Sequence, residues 1–181
     1  MVGARKSNKL EPHNLAMTLT GTGMLWVGWF GFNAGSALTA GAGAAMAMAV
    51  TQISAATAAL TWMFLDLSDP AVGKPTSLGV ATGAVAGLAS ITPAAGFVGP
   101  LGGLCIGLMG GVICRYFATA VKAAGNYDDT LDVFGVHGVG GFVGTLALAV
   151  FAHPSFGGNQ VGNNTKVELG CFLKADCSLY L

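Results

Sequence analysis

Two short segments carry residue types that could do chemistry in an otherwise apolar chain. The first is Gly28-Trp29-Phe30-Gly31-Phe32-Asn33-Ala34-Gly35-Ser36, where rings, an amide and a hydroxyl stand where a plain membrane anchor would carry Leu and Val. On a helix, Trp29, Phe32 or Asn33, and Ser36 follow the i, i+3/i+4, i+7 rule and share one face. A hydroxyl one turn above a phenyl ring makes a mouth for a small cation. The oxygen accepts a hydrogen bond from it, and the ring attracts it by cation–π contact. An interfacial aromatic belt, with Ser36 capping the following helix, is the structural alternative. The second segment is Asp132-Val133-Phe134-Gly135-Val136-His137-Gly138, with an imidazole among glycines. A neutral imidazole donates from one nitrogen and accepts at the other, so it can pass a proton or hold a small polar solute. Its alternative is a hydrogen bond to a backbone carbonyl across a helix interface. Asp132 is expected to be the N-cap of the helix that follows, a structural role. Polar groups inside a membrane are costly and mark pathways, so the two segments together imply a lined route through a helical membrane protein.

The rest of the chain must supply that membrane setting. Of 181 residues, 53% are hydrophobic and 9% charged, with zero formal net charge; soluble domains carry roughly 25% charged residues. Mean hydropathy is +0.66. Five apolar runs are expected as spans, at about 14–36, 39–67, 76–91, 99–121 and 132–152, with the third short for a bilayer crossing. Asp69-Pro70, Lys74-Pro75, Thr92-Pro93, Gly125-Asn126 and His153-Pro154 punctuate them. Thr76 or Ser77 can cap the third, and Asp128 and Asp129 lie near the positive dipole end of the fifth. Gly79, Gly83 and Gly87, then Gly103, Gly107 and Gly111, repeat every four residues, and Gly140 and Gly144 offer a shorter copy; such stripes let helix backbones approach closely.

Arg5, Lys6, Lys9, Lys74, Arg115 and Lys122 all fall on one side of a five-span topology. The positive-inside rule then makes the N-terminus cytoplasmic, with 1–13 a cytoplasmic lead-in, 14–152 the membrane unit and 153–181 an extracytoplasmic tail. His13 and His153 sit at span ends and read as interfacial. Cys105 and Cys114 read as small packing residues; Cys171 and Cys177 lack the companions of a zinc site. No signal peptide, catalytic signature or phosphate loop is visible. No enzyme, cofactor, metal or nucleic-acid function is therefore expected. An odd span count means that two consecutive units would be inverted, the arithmetic of inverted-repeat transporters.

At these segments the chain closely resembles the ammonium transporter family, in its Amt/Mep branch. Pro12-His13-Asn14, Gly28 through Ser36, Thr92-Pro93-Ala94 and Asp132 through Gly138 come in family order with family spacing. The resemblance covers about residues 2–158. It implies an all-α integral membrane fold of five transmembrane helices like the sixth to tenth of the family's eleven, that is, the second inverted repeat. By this resemblance Ser36 corresponds to the outer recruitment serine, Phe32 to one of two stacked gate phenylalanines and His137 to one of the paired pore histidines. Trp29 and Asp132 match structural motif positions. Ammonium or ammonia as substrate, a homotrimer of separate pores in the bilayer and a PII-type regulator are the implied partners. The first repeat's histidine, phenylalanine and acidic entry residue have no counterpart here, and after Gly158 the pattern is lost. The chain therefore reads as a fragment or truncated product and is expected to be inactive alone. The alternatives are a non-conducting protein packing beside full-length homologues, and a channel for another small neutral solute.

Overall fold

The computed structural model describes residues 12–125 and 127–152, and within them every regular element is helical. Five helices follow in the expected order. Helix α1 is Leu15–Gly35 and α2 is Ala42–Ser68. Helix α3 is Ser77–Ile91, α4 is Pro100–Gly125 and α5 is Phe134–Phe151. Three of them, α2, α4 and α5, are long and apolar enough to cross a membrane. Helix α1 has 21 residues, about 32 Å at 1.5 Å per residue, but its Thr and Gly dilute its hydropathy. Helix α3, at 15 residues, is short, as its sequence suggests.

Caps fix where the helices begin. The Asn14 side chain accepts from Met17 N–H at 3.0 Å, and the Thr76 hydroxyl accepts from Gly79 N–H at 2.9 Å, satisfying donors that have no intrahelical partner. Helix α4 opens with Pro100 in its first turn, where the missing N–H costs nothing. At α5 the carboxylate that caps is Asp129 and not Asp132. Asp129 accepts from the N–H groups of Val133, Phe134 and Gly135 at 2.8, 2.9 and 3.3 Å. Asp132 contributes only its backbone carbonyl, which accepts from Val136 N–H, and its side chain turns to Lys122. A cation within reach competes for a carboxylate more strongly than a neutral amide does.

Helix α2 is the spine of the bundle. The four-spaced glycines of α3 and α4 face it from two sides and do not face each other, whereas Gly110 of α4 turns to Ser90 of α3. A Cβ on Gly83 would stand 2.7 Å from Trp62 Cβ, and one on Gly87 would stand 2.8 Å from Ala55 Cα. On the other flank a Cβ on Gly107 would stand 2.8 Å from Ser54 Cα, and one on Gly111 2.8 Å from Thr61 Cβ. Removing side chains at these contacts brings backbones together and gains dispersion energy, which must drive association where lipid is as apolar as the helices. Helix α5 packs on α3 and α4 through Gly140, whose Cβ would meet Ser90 Oγ and Cys114 Sγ, and Gly144, which abuts the Ser90 backbone. The large side chains Met24, Val27, Phe64, Leu104, Phe142 and Leu146 point outward. Small residues inside and large apolar ones outside suit a lipid surround.

Two places depart from regular α-helix. Helix α4 passes through a π-helical turn at Phe117–Val121 and runs to Gly125, and α5 opens with another at Phe134–Gly138. The turns face each other, and a Cβ on Gly135 would lie 3.1 Å from Ala118 Cα. Every charged side chain among the described residues lies toward one end of the bundle. There Arg115 binds Asp66 through Nε at 3.1 Å and Asp69 through its terminal nitrogen at 2.8 Å, and Thr76 donates to Asp66 at 2.7 Å.

Candidate functional site

Of the residues singled out in the sequence, Trp29, Phe32 and His137 come together with Thr92 from three helices, while Asp132 pairs with Lys122 away from them. Trp29 of α1 donates its indole N–H to Thr92 Oγ1, at the end of α3, at 2.8 Å. Thr92 in turn donates to Leu88 O at 2.8 Å, so its hydroxyl is held between a donor and an acceptor. The same indole stacks on His137 of α5, with ring centroids 6.2 Å apart and planes 23° from parallel. Phe32, one turn along α1, meets Trp29 edge-on at 5.9 Å. Trp29 is thus a hub between the phenyl ring and the imidazole.

The exposures are uneven. Trp29 is half-buried, whereas His137, Phe32 and Ser36 are exposed. Phe32 keeps 58% of its surface although it is a large apolar ring. Around it lies a groove of about 610 Å³ lined by Gly21, Met24, Leu25, Gly28, Trp29 and Phe32. All six lie at helical spacing on one side of α1. Asn33 points the other way: it is buried and donates to Thr51 Oγ1 at 3.0 Å, tying α1 to α2. Of the two residues that could continue the Trp29 face, Phe32 therefore does so.

Ser36 is the C-cap residue of α1 and its hydroxyl donates to Phe32 O at 2.6 Å. It does not cap α2, whose N-cap position is Gly41 without a side-chain bond. With its proton committed to Phe32, the Ser36 oxygen presents lone pairs only. It is an acceptor, the polarity a protonated amine needs. The imidazole of His137 makes no hydrogen bond among the described residues, so the stack on Trp29 is what orients it. A bridge to a backbone carbonyl, the structural alternative for this histidine, is absent there. Gly135 takes Ala118 of α4 as a close neighbour, and Gly138 meets only the Phe134 ring. No group of three or more His, Cys, Asp or Glu that could hold a metal exists among the described residues.

Three features were not visible in the sequence. Thr92 as the partner of Trp29 was quoted only as part of a string. The π-helical turn that carries His137 has no compositional mark, although such turns cluster at functional sites. Arg115 and Lys122 read as topology markers, but they are the cations of two ion-pair networks.

A profile of the Ammonium Transporter Family matches residues 1–175, which extends past Gly158. The chain belongs to the ammonium transporter family. A provisionally named ammonium transporter of Methanothermobacter thermautotrophicus is 54% identical over 155 residues, 86% of this chain and 38% of that protein. An ammonium transporter of Aquifex aeolicus is 52% identical over 159 residues, 87% of this chain and 37% of that one. The crystal structure of Mep2 from Saccharomyces cerevisiae superposes with a TM-score of 0.75 at 38% identity, covering 84% of this chain and 34% of Mep2. The chain thus spans well under half the length of these relatives. Family membership makes it a multi-pass membrane protein of a transporter family and not of an enzyme family, and its five-helix all-α architecture is that of part of the Amt/Mep fold.

Proposed function

We propose that the chain forms one wall of a pathway for ammonium or ammonia, with Ser36 as the capture residue, Phe32 as a gate ring and His137 as the pore imidazole. The observation that carries this is the line Phe32–Trp29–His137, built from α1 and α5 and braced by α3, which stays open along one face. A complete family member would close that face with a second five-helix unit. The order along the line suits the chemistry. A hydroxyl acceptor with its own proton engaged receives the cation, an aromatic ring attracts it, and an imidazole oriented by stacking receives a solute with one donor and one acceptor. Trp29 and Asp132 serve as braces, Trp29 through Thr92 and Asp132 through Lys122.

Residues 14–152 are the membrane half-domain in this reading. The charged end of the bundle, with Lys74, Arg115 and Lys122, faces the cytoplasm, so the N-terminus is cytoplasmic and 153–181 lie outside. In the complete protein the pore stands in a homotrimer and its cytoplasmic mouth is open to a PII-type regulator. The isolated chain does not conduct, because half of the lining is missing.

The test is uptake of an ammonium analogue into liposomes holding the chain alone, or the chain with a complementary first half from a relative. The expected result is no uptake alone, uptake with the complement, and loss of that uptake with His137→Ala at unchanged assembly. Uptake by the chain alone at the rate of a complete transporter, or full uptake with His137→Ala, overturns the proposal. Co-purification with full-length relatives without any effect on uptake would favour a non-conducting packing role.

A further inference from the structure

We propose that Lys122 is a positioning residue for His137. This rests on the reading of His137 as the pore imidazole. Helices α4 and α5 run antiparallel along a seam, and three contacts of that seam lie close together near the start of α5. The Cys114 thiol donates to Val136 O at 3.7 Å. Ala118 fills the space in front of Gly135. One turn further along α4, Lys122 Nζ donates to the Asp129 carbonyl at 3.0 Å and to the Asp132 carboxylate. Lys122 therefore holds both ends of the loop segment 129–132 from a single atom.

That segment is poised in a way that needs holding. Asp132 has φ of 53°, in the left-handed region that a non-glycine residue occupies only under strain. The chain then enters the π-helical turn Phe134–Gly138, whose wider hydrogen-bonded ring is intrinsically less favoured than an α-turn. Were the turn to relax to α-helix, one residue of register would be lost. Everything on one side of it would then rotate by about 100° relative to the other, since a helix turns 360° in 3.6 residues. His137 lies inside the turn, and a rotation of that size takes its ring off the face of Trp29. Lys122 opposes this by fixing the strained Asp132 and the carbonyl of Asp129. The Asp129 carboxylate is committed to the N–H groups of Val133, just before the turn, and of Phe134 and Gly135 within it. The cation is mostly buried, with 19% of its side chain exposed, so the pair is shielded from the solvent screening that weakens surface pairs.

The inference is tested on the 181-residue chain in detergent, with isotope-labelled histidine, by the ring-proton resonances of His137. The stacked indole shifts those protons upfield. His137→Gln assigns them among the three histidines, and Trp29→Leu supplies the unstacked reference. Lys122→Met is expected to move the resonances at least half-way to that reference, and Lys122→Arg to leave them near their native position. Native resonances in a folded Lys122→Met protein overturn the proposal. If Lys122→Met fails to fold, Asp132→Asn decides, because Asn accepts the left-handed backbone and only the charge is lost. The same movement supports the role; unmoved resonances, or loss of fold here as well, overturn it, the latter because the pair would then hold the bundle and not the ring. The measurement needs no transport, so a failure of the pore reading, seen as full uptake with His137→Ala, leaves this result standing by itself.

Discussion

Arg115→Ala is the substitution whose cost the structure defines best. The guanidinium spans two carboxylates, Asp66 at 3.1 Å and Asp69 at 2.8 Å, and joins α4 to the end of α2. Asp66 is 5% exposed. Removing one partner of a buried pair leaves an uncompensated charge and costs roughly 3–5 kcal/mol. Asp66 would keep the hydrogen bond from Thr76, so the low end, about 3 kcal/mol or some hundredfold in the folding equilibrium, is expected. Asp69, half-buried at the outer edge of the clamp, adds less. Arg115→Met with Asp66→Asn should recover most of the loss, because no unpaired charge then remains. The assay is denaturant titration in mixed micelles, read by far-UV circular dichroism, as a double-mutant cycle. A loss under about 1 kcal/mol for Arg115→Ala, the range of exposed pairs, would refute the view that this is a buried clamp. The pH dependence has a defined sign. The Arg115 hydrogen bond, with that from Ala71 N–H, holds the Asp69 carboxyl below its usual range. Its share of stability is thus present above the ordinary carboxylate pKa and is lost as pH falls through the depressed one. That acid-side loss should shrink in Arg115→Ala to the part that the Ala71 N–H bond sustains.

Gly87→Leu should destabilise the bundle by about 3 kcal/mol or more, since even its Cβ would stand 2.7 Å from Ala58 Cβ, whereas Gly43→Ala, with open space around it, should be neutral or slightly stabilising; thermal unfolding in detergent separates them. Asp129→Ala should cost about 2 kcal/mol, the upper end for a cap because three N–H groups lose their acceptor; amide exchange at Val133, Phe134 and Gly135 should rise, and unchanged exchange would show that water replaces the carboxylate without loss. In the reconstituted pathway Ser36→Ala should raise half-saturation about tenfold, the low end of roughly 1.5 kcal/mol for a bond to a charged group, while Phe32→Ala should alter the maximal rate; transport curves against ammonium concentration would contradict this if the two effects were exchanged.

Local chemistry was legible in the sequence and distant partnership was not. The Thr76 cap, the breaks around Asp69-Pro70 and Thr92-Pro93 and the order of five helices follow from neighbours within a few positions. The glycine stripes of α3 and α4 announced close packing, but spacing on one helix does not say which helix it meets, and both meet α2. Three aspartates, Asp128, Asp129 and Asp132, crowd the start of α5. Which one caps is decided by Lys122 on another helix, so local pattern pointed to Asp132 and the fold uses Asp129. Arg115 lies 49 positions from Asp66 and 46 from Asp69, beyond the reach of any periodicity. At the site itself, residue types marked Trp29, Phe32, Ser36 and His137. The stack that joins two of them, and the bond from Trp29 to Thr92 across 63 positions, required the tertiary structure.

The hub at Trp29 also sets a schedule. The spine α2 meets α3 and then α4 soon after each is made, because their contacts join helices near in sequence. Trp29 waits for Thr92 and then for His137, 108 residues later. At roughly 5–20 residues per second, about 5–20 s of synthesis pass before the indole finds its imidazole. Early in that interval α1 is held to α2 by the bonds from Asn33 to Thr51 and from Trp26 to Gln52, whose partners arrive only 18 and 26 residues on. A ribosome pause between α3 and α5 would prolong the time that this aromatic face meets lipid or another newborn chain. The latest surface to be completed is then the one proposed to handle the solute.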